Sequence, residues 1–153
     1  MGCIDSTANI FIKSSDMYNF FTLFDMQVCC EIEDSVLRQK YFFLQKKYHP
    51  DYSKNKDIDI ALINKGYEVL SNKLSRLKHI LEINEIKFTE TINDMKFLMK
   101  CMEWQENKAK YKKEILKQLD IETEETVKQI DSKNFKSASD HLQNALYLNR
   151  ILN

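Results

Sequence analysis

One proline in 153 residues constrains this chain more than any other feature. It is Pro50, at the centre of the tripeptide His49-Pro50-Asp51, and a helical pattern lies on each side of it. Upstream, Leu37, Tyr41, Leu44 and Tyr48 recur at steps of four, three and four, which draws one apolar stripe along a helix. Downstream, Ile63, Tyr67, Leu70, Leu74, Leu77 and Leu81 do the same over about five turns. The proline ring fixes its own φ and disfavours helical geometry at the residue before it, so the first helix must stop there. The expectation is a helical hairpin with His49 and Asp51 held close together on an exposed corner.

The rest of the composition supports an all-helical reading. Only 2 glycines accompany the 1 proline, and strand-like alternation is hard to find. The length fits one or two small domains. A formal net charge of +0 argues against a nucleic-acid binder dominated by phosphate contacts. The local run Lys108, Lys110, Lys112 and Lys113 reads as a solvated helix face. No apolar stretch reaches the roughly 18 residues of a membrane span, so no membrane partner is expected.

The 4 cysteines (Cys3, Cys29, Cys30, Cys101) form no Cys-x-x-Cys, and His49, His79 and His141 are scattered. Nothing has the spacing of a zinc site, so neither metal nor cofactor is expected, and the thiols are expected to be reduced. The leader 1–16 is poor material for a secretory or mitochondrial signal and reads as disordered or as an upstream start. It also matches an acylation pattern at Gly2, with Cys3 available for a second chain; that reading stays open.

Three segments together resemble a J domain: "MYNFFTLF" from Met17 to Phe24, then "EIEDSVLRQKYFFLQKKYHPD", then "INKGYEVLSNKLSRLKHILEIN". The resemblance implies a docking surface for an acidic chaperone face, made of Arg38, Lys40, Lys46 and Lys47 with His49, Pro50 and Asp51. Asp51 would offer an acceptor to an arginine of the chaperone, while His49 and Pro50 shape the loop. Farther on, "NDMKFLMKCMEWQEN" (Asn93 to Asn107) is similar to the start of the C-terminal domain of HscB-type co-chaperones of iron–sulfur cluster assembly. "IDSKNFKSASDHLQNALYLNRIL" resembles the last hairpin of that domain, so the likeness runs over roughly residues 17–152.

The expected architecture is all-α, a J-domain helical hairpin followed by an antiparallel three-helix bundle. The divisions are a leader 1–16, a J domain 17–84, a linker 85–92 and a scaffold-binding domain 93–153. Helices are expected at about 17–24, 33–48 and 57–84, then at about 93–108, 111–132 and 135–152. Phe20, Phe21 and Phe24 are expected to pack across Leu37, Tyr41, Leu44, Tyr67 and Leu70. In the second domain Tyr111, Ile115, Leu119, Val127 and Ile130 supply one apolar face, and Phe135, Ala138, Leu142, Ala145 and Leu152 another.

The same resemblance implies that Leu98, Met99, Met102, Glu103, Gln105 and Glu106 contact the protein on which iron–sulfur clusters are built, joined by Tyr147, with Phe97 and Cys101 turned inward. By spacing alone, Leu98 and Met102 read as ordinary core. The chain also departs from the family. Tyr52 stands where J domains commonly carry Lys or Arg, and Gly66 stands where Ala is usual, at a helical cost on the order of 1 kcal/mol. The second domain is shorter than usual, and the paired Cys-x-x-Cys of some relatives is missing.

The resemblance thus implies a co-chaperone. It would bind the cluster scaffold protein, deliver it to a seventy-kilodalton heat-shock chaperone of the HscA or DnaK type, and stimulate that partner's ATPase. A general J-domain co-chaperone with a different client is the alternative. His49 and Asp51 could also form an acid–base pair, but no nucleophile is tied to them and an exposed tip excludes water poorly, so no enzyme is expected. Abundant Asn, Ile and Lys suggest an AT-rich genome and a bacterial cytoplasm, with a mitochondrial matrix second.

Overall fold

A computed structural model describes residues 18–51, 58–89 and 91–153. The leader 1–16 with Gly2 and Cys3, the first residue of the J-domain segment, Tyr52 and position 57 lie outside the described residues. Among the described residues the chain is all-α, with seven helices and no strand. Contacts divide it into two units, Met1–Ile83 and Asn84–Asn153.

The first unit holds α1 (Phe20–Leu23), α2 (Asp34–Lys47), α3 (Ile60–Ser71) and α4 (Lys73–Ile83). α1 is shorter than the 17–24 expected because Asn19 caps it, its side chain accepting from the Thr22 N–H at 3.2 Å. Phe21, Phe24, Leu37, Leu44, Ile63, Leu70, Leu77 and Leu81 are buried. Tyr41 stacks on Tyr67 with ring centroids 4.4 Å apart, which ties α2 to α3 at the edge of this core.

Gly66 has a packing reason to be glycine. Its φ is negative, but an added Cβ would sit 2.7 Å from Phe24 Cε2 and 2.9 Å from Phe20 Cδ1. The missing methyl lets the aromatic rings of the α1 segment lie directly on the backbone of α3. The helical cost of glycine noted above is therefore set against aromatic burial.

The helix expected at 57–84 is two helices. Asn72 is extended (φ −92°, ψ 122°) and its side chain accepts from the Ser75 N–H at 3.0 Å, so it ends α3 and caps α4. The break frees backbone carbonyls, and Arg76 answers them. Its buried guanidinium donates to the Leu70 carbonyl and, at 2.9 Å, to the Cys30 carbonyl. A polar side chain beats helix propagation here because a buried cation stands ready to satisfy the acceptors that the break leaves behind. His79 is buried too, and its Nε2 accepts from the Phe20 N–H at 3.1 Å, tying the start of α1 to α4.

The second unit holds α5 (Met95–Glu106), α6 (Lys108–Asp131) and α7 (Phe135–Leu152). α6 and α7 pack as an antiparallel hairpin, and α5 packs against α6 to complete a three-helix bundle. Ile115, Ile130, Ala138, Leu142, Ala145, Leu148 and Ile151 are buried. Leu148 and Ile151 extend the expected α7 face, and Leu152 is only half-buried.

Midway along α6 the apolar register turns polar. Glu122 and Thr126 occupy it and are buried, with Thr126 Oγ1 donating to the Glu122 carbonyl at 2.7 Å. The Glu122 carboxylate lies 2.7 Å from His141 Nδ1 on α7 and accepts from Gln118 at 3.0 Å. A buried acid needs such partners, and α7 supplies one.

Helix ends are made without glycine. Asp25, Glu85 and Lys133 have positive φ (52°, 61° and 58°), each just past a helix. At the α6–α7 turn the Asn134 N–H donates to the Gln129 carbonyl at 2.8 Å and the Lys133 N–H to the Ile130 carbonyl at 2.9 Å. This is a Schellman closure with lysine in the left-handed position.

Candidate functional site

Each unit carries one candidate surface. On the first, α2 ends at Lys47, and the Tyr48 N–H donates to the Leu44 carbonyl at 3.0 Å as the chain leaves the helix. His49, Pro50 and Asp51 follow, all exposed. The ring of His49 folds back on the turn. Its Nδ1 accepts from the Asp51 N–H at 3.3 Å and lies 3.6 Å from Asp51 Oδ2. The Asp51 carboxylate points outward with 77% of its side chain accessible, so an acceptor is presented to solvent with its backbone braced from behind. Tyr48 is half-buried, with Lys47 Nζ 5.2 Å from the centre of its ring.

The four basic residues of α2 do not behave alike. Arg38, Lys46 and Lys47 are exposed. Lys40 is turned toward the segment after α1, where its ammonium donates to the Asp25 carbonyl at 2.9 Å and stands 3.7 Å from the Asp25 carboxylate. Arg38, Lys46 and Lys47 thus stay exposed on α2, while Lys40 has a partner inside its own unit.

The second surface is α5. Asp94 starts the helix, accepting from the Lys96 and Phe97 N–H groups at 3.0 and 3.1 Å. Cys101 and Trp104 are buried in a cluster with Ile115, Leu148 and Ile151, against which Phe97 and Tyr147 pack. Lys100 Nζ lies 4.6 Å from the centre of the Trp104 ring and closes its outer side. Burial pushes the Cys101 thiol up to about 11, out of the range of a reactive cysteine.

Opposite that buried side, Met99 and Met102 are exposed, at 65% and 56%, with Glu106 exposed one turn on. Met95, at 67%, continues the line, since 95, 99, 102 and 106 fall on one helical face. Met95 is not among the positions that the resemblance implies, although the steps of four, three and four are present in the sequence. Leu98 is half-buried and Gln105 exposed at one flank of this crest.

Glu103 lies at the other flank and accepts from the Tyr111 hydroxyl at 2.9 Å, which itself accepts from Lys110 Nζ at 3.0 Å. That hydroxyl raises the Lys110 ammonium above the ordinary lysine range. Tyr147, expected in the client patch, is half-buried and packs on the core cluster that holds Cys101 and Trp104.

Among the described residues, no group of three or more His, Cys, Asp or Glu side chains is placed to hold a metal ion. No helix among them is long and apolar enough to cross a membrane.

No family model matches the chain. Among curated proteins it is 34% identical over 99 residues to a co-chaperone protein HscB homolog of Shewanella loihica, over 58% of this chain and 57% of that protein. The homolog of Pseudoalteromonas atlantica is 36% identical over 99 residues, and that of Haemophilus ducreyi 34% over 102. The chain spans less than two thirds of the length of these relatives, 57% to 59%. Among solved structures, chaperone HscB from Vibrio cholerae superposes with a TM-score of 0.76 at 22% identity, over 86% of this chain and 92% of that one. Human co-chaperone protein HscB gives 0.77 at 20% identity, over 94% and 86%. In sequence and in fold, the chain resembles the HscB-type co-chaperones, as its motifs imply.

Proposed function

We propose that this chain is a non-enzymatic co-chaperone of iron–sulfur cluster assembly. Its first unit engages a seventy-kilodalton heat-shock chaperone through His49, Pro50 and Asp51, supported by Arg38, Lys46 and Lys47. Its second unit holds the cluster scaffold protein on the α5 crest of Met99 and Met102, with Leu98, Glu103, Gln105 and Glu106 at its borders. Contact at the tip stimulates ATP hydrolysis by the chaperone and so locks it onto the scaffold. The cluster is cargo of that complex. A bacterial cytoplasm is the compartment this reading favours.

The observation that carries it is the tip itself: an outward carboxylate on a braced turn, beside the exposed end of a basic helix, in a chain with the HscB fold. Such a carboxylate can accept a charge-assisted bond from a guanidinium worth roughly 1.5–3 kcal/mol. The methionine crest suits a partner helix or loop because unbranched thioether side chains adapt to the surface they meet.

Steady-state ATPase assays test the reading. Wild-type chain should raise the chaperone's turnover, and Asp51→Asn should lose that effect with unchanged helicity. Full stimulation by Asp51→Asn would remove the tip from the mechanism. For the client, Met99→Ser with Met102→Ser should abolish scaffold capture while ATPase stimulation without scaffold persists. Leu98 is left intact in that variant because its half-burial would confuse binding with folding.

The alternative is that α5 receives a different client. Pull-down of the wild-type chain without scaffold among the bound proteins would make it the better one.

A further inference from the structure

The outer face of α2 carries two large aromatic side chains that the proposed function leaves unused. Phe42 and Phe43 are 61% and 65% exposed, in a unit that buries Phe21 and Phe24 almost completely. At 100° per residue, Gln39, Phe42, Phe43 and Lys46 form the crest of α2 opposite buried Leu37 and Leu44. Arg38 flanks Phe42 one turn back, and Lys47 flanks Phe43 one turn on. Phe42 is also backed by structure: its ring lies 5.5 Å from that of Tyr41, which stacks on Tyr67 and donates to Asn64 at 2.9 Å.

We propose that Phe42 and Phe43 are the apolar anchors of the chaperone contact, entering a hydrophobic depression rimmed by carboxylates on the chaperone. The inference rests on the tip reading above and names what else that face requires of its partner. Charge complementarity selects the occupant. Arg38, Lys46 and Lys47 surround the rings, while α2 carries its single acid, Asp34, in its first turn, away from them. A second copy docking the same face would set lysine against lysine around the rings. An anionic bilayer would meet the outward Asp51 carboxylate at the end where Lys46 and Lys47 project. A protein can instead place acids opposite the cations, a cation opposite Asp51 and a pocket opposite the rings. Rigid aromatics ringed by charge are the side chains that dominate such interfaces.

The test is a titration of the full chain into the chaperone, reading the concentration for half-maximal ATPase stimulation. Phe42→Gln with Phe43→Gln keeps good helix formers and should leave helicity and the unfolding midpoint unchanged. The half-maximal concentration should rise at least tenfold, with the plateau regained at saturation because His49, Pro50 and Asp51 are intact. Leu116→Gln and Ile121→Gln, exposed apolar positions of the second unit, should not shift it.

An unshifted titration for the folded double variant would overturn the anchoring role while leaving the tip reading standing. Failure of the wild-type chain to stimulate at all would instead remove the tip reading. If the double variant lost helicity, Phe43→Gln alone would carry the test, with a severalfold shift expected and no shift overturning the proposal. Wild-type self-association in sedimentation, or binding to phosphatidylserine vesicles, that disappears in the double variant without a change in the titration would assign the rings elsewhere and overturn it as well.

Discussion

The two units display their candidate surfaces by opposite means. In the first, the surface is where a helix stops: Pro50 breaks the pattern, and polar groups project from a turn braced by the ring of His49. In the second, the surface is the outside of an uninterrupted helix, and neighbouring residues of α5 alternate between core and solvent. At the tip, chemistry and stability are separable, because His49, Pro50 and Asp51 are exposed. On α5 they are interleaved, and a shift of one residue moves a substitution from the binding surface into the core.

That contrast can be broken most directly on α5. Trp104→Ala should destabilise the chain by about 3–5 kcal/mol, the usual result of emptying a buried aromatic site, whereas Met99→Ala should stay within about 0.5 kcal/mol of wild type. Urea unfolding followed by circular dichroism measures both. Equal costs would mean that the crest is core after all.

The cysteines sharpen the comparison across pH. Cys101 is buried in the second unit, and its folded pKa is raised from 9.0 to about 11 by desolvation. A raised value means that its contribution is fully present below pH 9 and is lost as the pH climbs through 11, because the unfolded thiol ionises first. Alkaline titration of stability, followed by the fluorescence of Trp104, should show a loss on the order of 1–3 kcal/mol over that window, absent in Cys101→Ala. Exposed Cys29 of the first unit should react with iodoacetamide in the native state, while Cys101 stays protected. Native-state alkylation of Cys101 would show that the second core opens easily.

Gly66→Ala probes the first core. The added methyl gains about 1 kcal/mol of helix propensity, but Phe24 and Phe20 must move, and overpacking costs about 1–3 kcal/mol. A net loss of about 1 kcal/mol is expected in thermal unfolding, and a net gain would show that the α1 rings shift freely. The smallest effect belongs to the α6–α7 turn. Lys133→Gly relieves a left-handed residue and should stabilise the second unit by a few tenths of a kcal/mol, measurable as a small rise in the urea midpoint.

Much of this molecule was legible along the chain. The stripe through Leu37, Leu44, Ile63, Leu70, Leu77 and Leu81 is buried as its spacing implies, and the helices of the second unit fall within two or three residues of their expected bounds. The break at Asn72 was not legible, because Leu70, Leu74 and Leu77 keep helical spacing straight across it. Arg76, which takes up the Leu70 carbonyl left at the break, is itself tied to the carbonyl of Cys30, 46 positions away in sequence. The turns themselves were legible without glycine: Asp25, Glu85 and Lys133, which take the left-handed conformation, each stand one residue past an expected helix end.

Of the candidate site, the sequence determined the tip. Pro50 forbids the helix locally, so the corner and its exposed residues need no distant contact to exist. It determined the all-α class as well, since period and punctuation are both local properties. Tertiary structure decided the rest. It set Lys40 against Asp25 and Tyr147 against the core, and it left Met95, Met99 and Met102 outside while drawing Trp104 in. It also gave buried Glu122 a half-buried partner in His141. Which side of an amphipathic helix is covered depends on what another segment brings to it, and that is written in no single stretch of chain.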